Sequence, residues 1–130
     1  MIYIVDDDQS VRTNLARLMR SAGFTARVFA SAEDFLAAID TLEPGCLLLD
    51  ITLSGQSGLQ LQAELNRRQV NLPVIAVSAR DDVFTRELAR QLGARSFFRK
   101  PVDAQALIDA IQWVMTPGTE KPPQAGNAAR

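Results

Sequence analysis

The sequence predicts an α/β fold in which five strands, each followed by a helix, form one doubly wound parallel sheet, a (βα)₅ arrangement. Three observations support this prediction. Five short apolar runs recur along the chain, stretches with helical spacing of apolar residues separate them, and capping residues stand where those helices should begin and end. Strands that alternate with helices in this way build parallel sheets covered on both faces.

The five apolar runs are the predicted strands, and their first residues are 20 to 27 positions apart. β-branched residues, which are enriched in strands, are dense in the first and fourth runs. In chain order the runs are Ile2–Val5, Ala26–Phe29, Cys46–Leu49, Pro73–Val77 and Ser96–Phe98.

The predicted helices follow from apolar residues spaced three or four apart, the period of one helix face. Start signals precede the helices at Ser31, Ser57, Asp81 or Asp82, and Asp103. Gly23 and Gly93 stand where the first and fourth helices should stop. The apolar stripes are Val11, Leu15, Leu18 and Met19; Phe35, Leu36 and Ile39; Leu59, Leu61 and Leu65; Phe84, Leu88 and Leu92; and Leu107, Ile108, Ile111 and Val114.

The composition of the runs predicts the strand order 2-1-3-4-5, which is flavodoxin-like. Runs one, three and four are continuously apolar, as central strands should be. Run two contains Arg27 and run five is flanked by Arg95 and Arg99, so both are predicted to be edges. In this order the binding crevice lies at the carboxyl ends of strands one and three, where the winding direction switches.

Composition excludes several classes of protein. The chain has 130 residues, of which 47% are apolar, which is enough for one globular domain and too many for a disordered one. Lys plus Arg is 14 against 15 for Asp plus Glu, so we do not expect this domain itself to bind nucleic acid. No apolar run approaches the roughly 18 residues of a membrane span, so no membrane contact is expected.

Histidine and cysteine usage narrows the chemistry further. The chain has no histidine, which excludes Ser-His-Asp and Cys-His hydrolysis and zinc sites that use histidine. Its single cysteine, Cys46, cannot form a disulfide within the chain, and a reducing cytoplasm is the expected location.

The last residues, 117–130, differ from the rest in composition. They hold three of the six prolines and no aliphatic residue larger than alanine. We expect residues 1–116 to form the folded domain and residues 117–130 to be a flexible tail, or a truncated linker to an output domain absent from this sequence.

Chemically competent residues follow four of the predicted strands. Strand one is followed by Asp6, Asp7 and Asp8, strand three by Asp50, strand four by Ser78 and strand five by Arg99, Lys100 and Pro101. The carboxyl ends of parallel strands meet at one edge of the sheet. Acids, a hydroxyl and a lysine should therefore converge there.

The acidic residues at this edge predict a magnesium site. One of the first three, Asp7 or Asp8, could merely cap the first helix. Asp50, however, follows three leucines in a predicted central strand, where a carboxylate needs a cation or several hydrogen-bond donors. Neighbouring carboxylates repel each other and raise each other's pKa. A bound Mg²⁺, which prefers hard oxygen ligands, would offset this repulsion.

Lys100 and Ser78 complete a set typical of phosphoryl transfer. Either could simply be a polar residue at a strand end. At this edge, however, an ammonium can pair with Asp50 at rest and with a phosphoryl oxygen later, and the hydroxyl of Ser78 can donate to the same group. A carboxylate acceptor, a metal, a lysine and a hydroxyl are the parts this chemistry needs.

Over residues 1 to about 115 the sequence resembles the receiver domain of two-component response regulators. Four ordered motifs carry the resemblance: IVDDD at the first strand, LLLDITLSGQSG at the third, VSA at the fourth and FFRKP at the fifth. The chain departs from the family at Ser54, where proline is usual, at Leu53, where methionine is common, and at Phe97, where tyrosine is frequent.

The resemblance implies roles for seven residues. Asp50 is the phosphoacceptor; Asp6, Asp7 and Asp50 hold Mg²⁺ together with the backbone carbonyl of Thr52; Ser78 and Phe97 are switch residues; and Lys100 is the family's invariant lysine, with a cis bond to Pro101.

The implied function is that of a phosphorylation-dependent signalling switch. The phosphodonor is a histidine of a partner sensor kinase, because this chain has none, and the domain turns over no separate substrate. The face of helix 4, strand 5 and helix 5 then controls an output, with regulation of transcription through DNA binding by an absent output domain. Mixed charges on that face, such as Arg86, Glu87 and Arg90, favour a homodimer that strengthens on phosphorylation.

Two alternative functions are also compatible with the sequence. Residues 6–10 also fit D-x-D-x-[S/T], the motif of haloacid-dehalogenase-like phosphatases, with Asp6 as the nucleophile and Asp8 as the acid/base. That hypothesis leaves Asp50 unexplained. The second alternative is an interaction module of the same fold that is never phosphorylated, although such a module has no need of clustered carboxylates.

Overall fold

The computed structural model describes residues 1–52, 57–80 and 82–116. Five strands alternate with five helices: β1 Ile2–Val5, α1 Gln9–Ser21, β2 Ala26–Phe29, α2 Ala32–Ala37, β3 Cys46–Asp50, α3 Gly58–Arg67, β4 Val74–Ser78, α4 Val83–Gln91, β5 Ala94–Arg99 and α5 Ala104–Val114. The strands form one parallel sheet in the order β2-β1-β3-β4-β5, so the predicted fold and the predicted edges are confirmed.

The sheet separates two apolar cores, because successive side chains of a strand point to opposite faces. On β3, Leu47 and Leu49 face one core and Cys46 and Leu48 face the other. The first core is closed by α2, α3 and α4, and the second by α1 and α5. All five residues of β3 and of β4 are buried, as expected for central strands of a doubly wound sheet.

Side-chain caps fix where the helices begin. Asp8, Ser31, Ser57, Asp82 and Asp103 each accept a hydrogen bond from a backbone N–H in the first turn of the helix that follows. Of the two candidate caps for the fourth helix, Asp82 is therefore the cap, and Asp81 lies outside the described residues. Gly23 and Gly93 follow α1 and α4 with φ of 93° and 105°, the backbone region that favours glycine.

The structure differs from the sequence prediction at a few boundaries. Pro73 precedes β4 and contributes only its carbonyl, which accepts from Leu47 N–H at 2.8 Å, because proline has no N–H to donate. The second helix ends at Ala37, and Ile39 begins a short 3₁₀ turn instead of extending the helix. There the hydroxyl of Thr41 donates to the Ala38 carbonyl at 2.6 Å, a local bond that competes with helix continuation.

Within the described residues, no helix combines the length and the apolar content needed to cross a membrane.

Candidate functional site

Three carboxylates meet at the carboxyl edge of the sheet. Val5 lies beside Leu49 in the pairing of β1 with β3, so the next residues, Asp6 and Asp50, become neighbours. Their side chains are buried, whereas Asp7 is exposed, and one carboxylate oxygen of each residue lies within 4.8 Å of the others. The predicted acidic group is therefore assembled from two strands that are far apart in sequence.

A single ammonium group bridges the two buried acids. Lys100 Nζ lies 2.9 Å from Asp6 Oδ2 and 3.3 Å from Asp50 Oδ2. Its backbone is held in place by the Lys100 N–H, which donates to the Ser78 carbonyl at 2.8 Å, and the following bond to Pro101 is cis. This cation offsets part of the cost of burying two negative charges.

The second oxygen of each buried acid accepts hydrogen bonds from its own loop. The Asp8 N–H donates to Asp6 Oδ1 at 2.9 Å. The Thr52 N–H and hydroxyl both donate to Asp50 Oδ1 at 3.0 Å. Both carboxylates are thus oriented from two sides, which fixes the position of Asp50 Oδ2 beside the lysine.

Burial and charge act in opposite directions on the pKa values of this site. Burial raises the pKa of Asp6 above its ordinary value, and the nearby charge of Asp50 adds to this, while the Asp8 N–H and Lys100 lower it without cancelling the rise. For Lys100, burial lowers the pKa, but the bonds to Asp6 and Asp50 outweigh that effect, and its pKa is raised overall. The lysine is therefore charged at neutral pH.

The donor set fits a magnesium ion. Three carboxylates and one ammonium leave the site with an excess of negative charge, and one of the carboxylates, Asp7, is exposed to solvent. Grouped carboxylate oxygens with access to water are the environment in which Mg²⁺ binds, since it keeps several waters.

Asp8 does not belong to the acidic group. Its Oδ1 accepts from the N–H groups of Ser10 at 2.8 Å and Val11 at 3.3 Å, so its carboxylate caps α1. The phosphatase alternative needs Asp8 as an acid/base beside Asp6, and this capping role does not favour it.

The two predicted switch residues lie on the face of the sheet that α4 covers. Ser78 is fully buried, and its Oγ accepts from the Arg80 N–H at 3.0 Å. It continues the alternation of Val74 and Ala76, which belong to the core that Phe97 also packs against. Phe97 is half-buried, and the Arg86 guanidinium carbon lies 5.4 Å from its ring centroid. That cation–π contact joins α4 to β5 and was not predicted from the sequence.

Gly58 is a site residue that the sequence analysis did not identify as such. A Cβ at this position would lie 2.4 Å from the Asp50 carbonyl oxygen and 2.7 Å from Ile51 Cα. The first residue of α3 thus packs directly against the backbone that carries Asp50, and its N–H donates to the Ile51 carbonyl at 3.2 Å. The sequence signal was a glycine after the Ser57 cap, eight residues beyond the acid.

Some predicted features lie outside the described residues. These are Leu53 and Ser54, two of the departures from the family pattern, and the tail 117–130.

Fold and site together define a doubly wound α/β domain with an acidic triad and a lysine at the strand-switch crevice. Residues 2–112 match the response regulator receiver domain. The chain belongs to this family, as the sequence predicts.

Two curated relatives illustrate the similarity. The transcriptional regulatory protein TdiR of Thauera aromatica is 41% identical over 110 residues, which cover 85% of this chain and 48% of TdiR. The transcriptional regulatory protein FixJ of Azorhizobium caulinodans is 39% identical over 111 residues, covering 85% of this chain and 53% of FixJ. The chain therefore spans about half the length of the curated relatives it matches.

Solved structures give the same result. The response regulator StyR superposes with a TM-score of 0.79 at 40% identity, over 85% of this chain and 56% of StyR. The crystal structure of FixJ-N superposes with a TM-score of 0.80 at 33% identity, over 85% of this chain and 89% of that structure.

Proposed function

We propose that Asp50 accepts a phosphoryl group from a phosphohistidine of a partner sensor kinase and that this phosphorylation operates a switch. One observation carries the proposal: Lys100 Nζ lies between the buried carboxylates of Asp6 and Asp50, with the exposed carboxylate of Asp7 in the same group. This arrangement presents one acceptor oxygen beside a fixed positive charge.

The transfer forms one bond and breaks one. An oxygen of Asp50 bonds to phosphorus while the bond from phosphorus to the donor nitrogen breaks, and the imidazole leaves with its electron pair and takes up a proton. Lys100 stays charged and offsets the negative charge that collects on the phosphoryl oxygens. Thr52, which donates twice to Asp50 Oδ1, holds the acceptor in one orientation.

Magnesium is the metal that this donor set suits. Asp6, Asp7 and Asp50, with the Thr52 backbone carbonyl as the expected fourth ligand, would hold it. A bound Mg²⁺ supplies positive charge next to the transferring group, which lowers the cost of bringing that group to three carboxylates.

The proposed output passes through Ser78 and Phe97. A phosphoryl group adds about −1.5 to −2 charge and three acceptor oxygens. The Ser78 hydroxyl is available to donate to one of these, because at rest it acts as an acceptor for Arg80 N–H. Movement of the loop after β4 would disturb the contact of Arg86 with Phe97, and so alter the face formed by α4, β5 and α5. That face is proposed to control an output or to form a phosphorylation-dependent homodimer.

The wider context is part of the same proposal. Residues 1–116 act as the receiver domain, and residues 117–130 as a tail or a truncated linker. The relatives are transcriptional regulators, and the matched residues cover only about half of each, so control of transcription would require DNA binding by a further domain rather than by this one. The domain turns over no substrate of its own. A cytoplasmic location suits the unpaired, buried thiol of Cys46.

Intact-mass measurement after incubation with acetyl phosphate and Mg²⁺ tests the proposal. The wild-type chain should gain the mass of one phosphoryl group, with acetate as the leaving group, and Asp50→Asn should gain none. Asp34→Asn, which changes an exposed acid in the first turn of α2, should be labelled like the wild type. Equal labelling of Asp50→Asn would contradict Asp50 as the acceptor, and labelling that persists in EDTA would contradict the requirement for Mg²⁺.

A further inference from the structure

A cationic groove runs along the side of α1 that faces the edge strand β2. The groove has a volume of about 400 Å³, and its lining includes Arg12, Thr13, Ala16, Arg17 and Arg20 from α1 and Val28 from β2. These helix positions are spaced three or four apart, so they form one continuous stripe. From Arg12 to Arg20 the stripe covers nine residues, or roughly 12 Å of helix.

The positive charge of this groove is not neutralised from within. Its lining contains three arginines and no acidic residue. Within residues 1–52, 57–80 and 82–116, no carboxylate lies within ion-pair distance of Arg17 or Arg20, and Arg12 donates to the neutral Asp6 carbonyl at 2.8 Å. The arginines of α3 behave differently, because Arg67 and Arg68 both pair with Glu64.

The groove also has an apolar floor. Ala16 is buried, and its small side chain leaves space between the flanking arginines. Val28 lies opposite and is 44% exposed, one of the few large apolar side chains left open to solvent among the described residues. An occupant therefore meets guanidinium groups on the helix side and an aliphatic surface at the centre.

We infer that this groove binds an acidic protein segment that carries an aliphatic side chain between its carboxylates. Guanidinium groups pair with carboxylates through two parallel hydrogen bonds, which suits a row of arginines to a row of acids. Nucleic acid fits less well, because the groove lining has no aromatic side chain on which a base could stack and the chain carries a net charge of −1. The inference is independent of the phosphoryl chemistry at Asp50.

Fluorescence anisotropy with a designed probe tests this inference on the full 130-residue chain. The probe is a labelled peptide of about 13 residues, rich in glutamate with a central leucine, and its partner probe has glutamine at every glutamate. The acidic peptide should bind with an affinity that falls as salt is added, and the glutamine peptide should bind at least about tenfold more weakly.

A matched pair of variants locates the site. Arg17→Gln/Arg20→Gln should weaken the acidic peptide at least about tenfold, whereas Arg67→Gln/Arg68→Gln, which removes the same charge from arginines already paired with Glu64, should change it less than about twofold. Val28→Glu, at an exposed edge position, should also abolish binding. Equal weakening by both arginine pairs, or tighter binding of single-stranded DNA of the same charge, would overturn the inference.

Discussion

At the residue scale, the position of Asp50 depends on the absence of a Cβ atom at Gly58. The Asp50 carbonyl oxygen occupies the space that a Cβ at position 58 would need, so any side chain there forces β3 and α3 apart. The constraint comes from close packing against backbone rather than from a positive φ, and it ties the geometry of the site to the start of a helix.

Gly58→Ala should therefore lose both stability and labelling. We expect a cost of about 1–3 kcal/mol in the free energy of unfolding, because backbone cannot yield as a flexible side chain would. Urea unfolding and acetyl phosphate labelling measure the two effects. Gly23→Ala is the control: it has a φ of 93° and open space around it, so it should lose stability without losing labelling. If the two variants behave alike, the contact with Asp50 has no functional role.

Cys46 provides a probe of unfolding. It is fully buried in β3, and burial raises the pKa of its thiol to about 12. Because thiolate is the reactive form, the native thiol should resist a disulfide reagent such as DTNB at pH 8 and react only as the chain unfolds. Labelling rates measured across a urea series check this. The control is a cysteine introduced at the exposed position of Asn14 in a Cys46→Ser background, which should react rapidly without urea. Equally rapid reaction of Cys46 in the native chain would contradict the prediction.

At the element scale, α3 holds the end of α4. The side-chain amide of Asn66 donates to the Leu92 carbonyl at 2.9 Å, and that of buried Gln62 donates to the Ala89 carbonyl at 3.1 Å. Ala89 lies in the last turn of α4 and Leu92 is its C-cap, positions whose carbonyls find few partners within the helix itself. The C-terminal end of α4 is thus fixed to α3. At its other end, Val83 and Phe84 are 84% and 76% exposed.

Asn66→Ala should lower the free energy of unfolding by about 1 kcal/mol relative to a control substitution of the same kind. Asn14→Ala in α1 is that control, because no side-chain hydrogen bond of Asn14 is seen among the described residues and both changes raise helix propensity alike. Urea unfolding of the two variants gives the difference. A difference near zero would mean that the bond to Leu92 does not anchor α4.

At the scale of the whole molecule, the proposed magnesium site would link metal binding to stability. The three carboxylates repel each other in the folded state, and the single ammonium of Lys100 offsets only part of that repulsion. An ion that binds only the folded chain therefore stabilises it.

Magnesium should therefore raise the melting temperature at constant ionic strength. At ten times the dissociation constant the gain is about 1.4 kcal/mol, which corresponds to roughly 3–6 °C for a domain of this size. Thermal unfolding followed by circular dichroism measures it. Asp7→Asn should lose most of the shift and Asp34→Asn should keep it; an equal shift in both, or with NaCl alone, would contradict a magnesium site that includes Asp7.

Much of this molecule could be predicted because parallel strands end at one common edge. The apolar runs and their spacing predict the five strands. Because the carboxyl ends of parallel strands meet at one edge of the sheet, the sequence also predicts that Asp6, Asp50 and Lys100 lie close together. What could not be predicted depends on the path of the chain between elements. Two contacts are examples: Gly58 packs against Asp50, and Arg86 lies over the ring of Phe97. The separation of these residues in the sequence carries no periodic signal, so no pattern predicts the contacts.

Helix α2 ends at Ala37, earlier than the spacing of its apolar residues predicts, and a local hydrogen bond accounts for the difference. Ile39 continues the helical spacing of Phe35 and Leu36, yet the hydroxyl of Thr41 bonds to the Ala38 carbonyl and turns the backbone early. Side-chain competition of this kind overrides periodicity near helix ends.

The separation of the two cores has a consequence for how this chain tolerates change. Among the residues that the structure describes, no side chain belongs to both apolar clusters, so there the sheet backbone separates the layer of α2, α3 and α4 from the layer of α1 and α5. Substitutions in different layers that share no partner should combine additively. The two layers can therefore diverge independently in sequence. If α1, α5 and the strand side chains that pack against them are replaced by those of a related receiver, the α4 face of this chain should keep its structure.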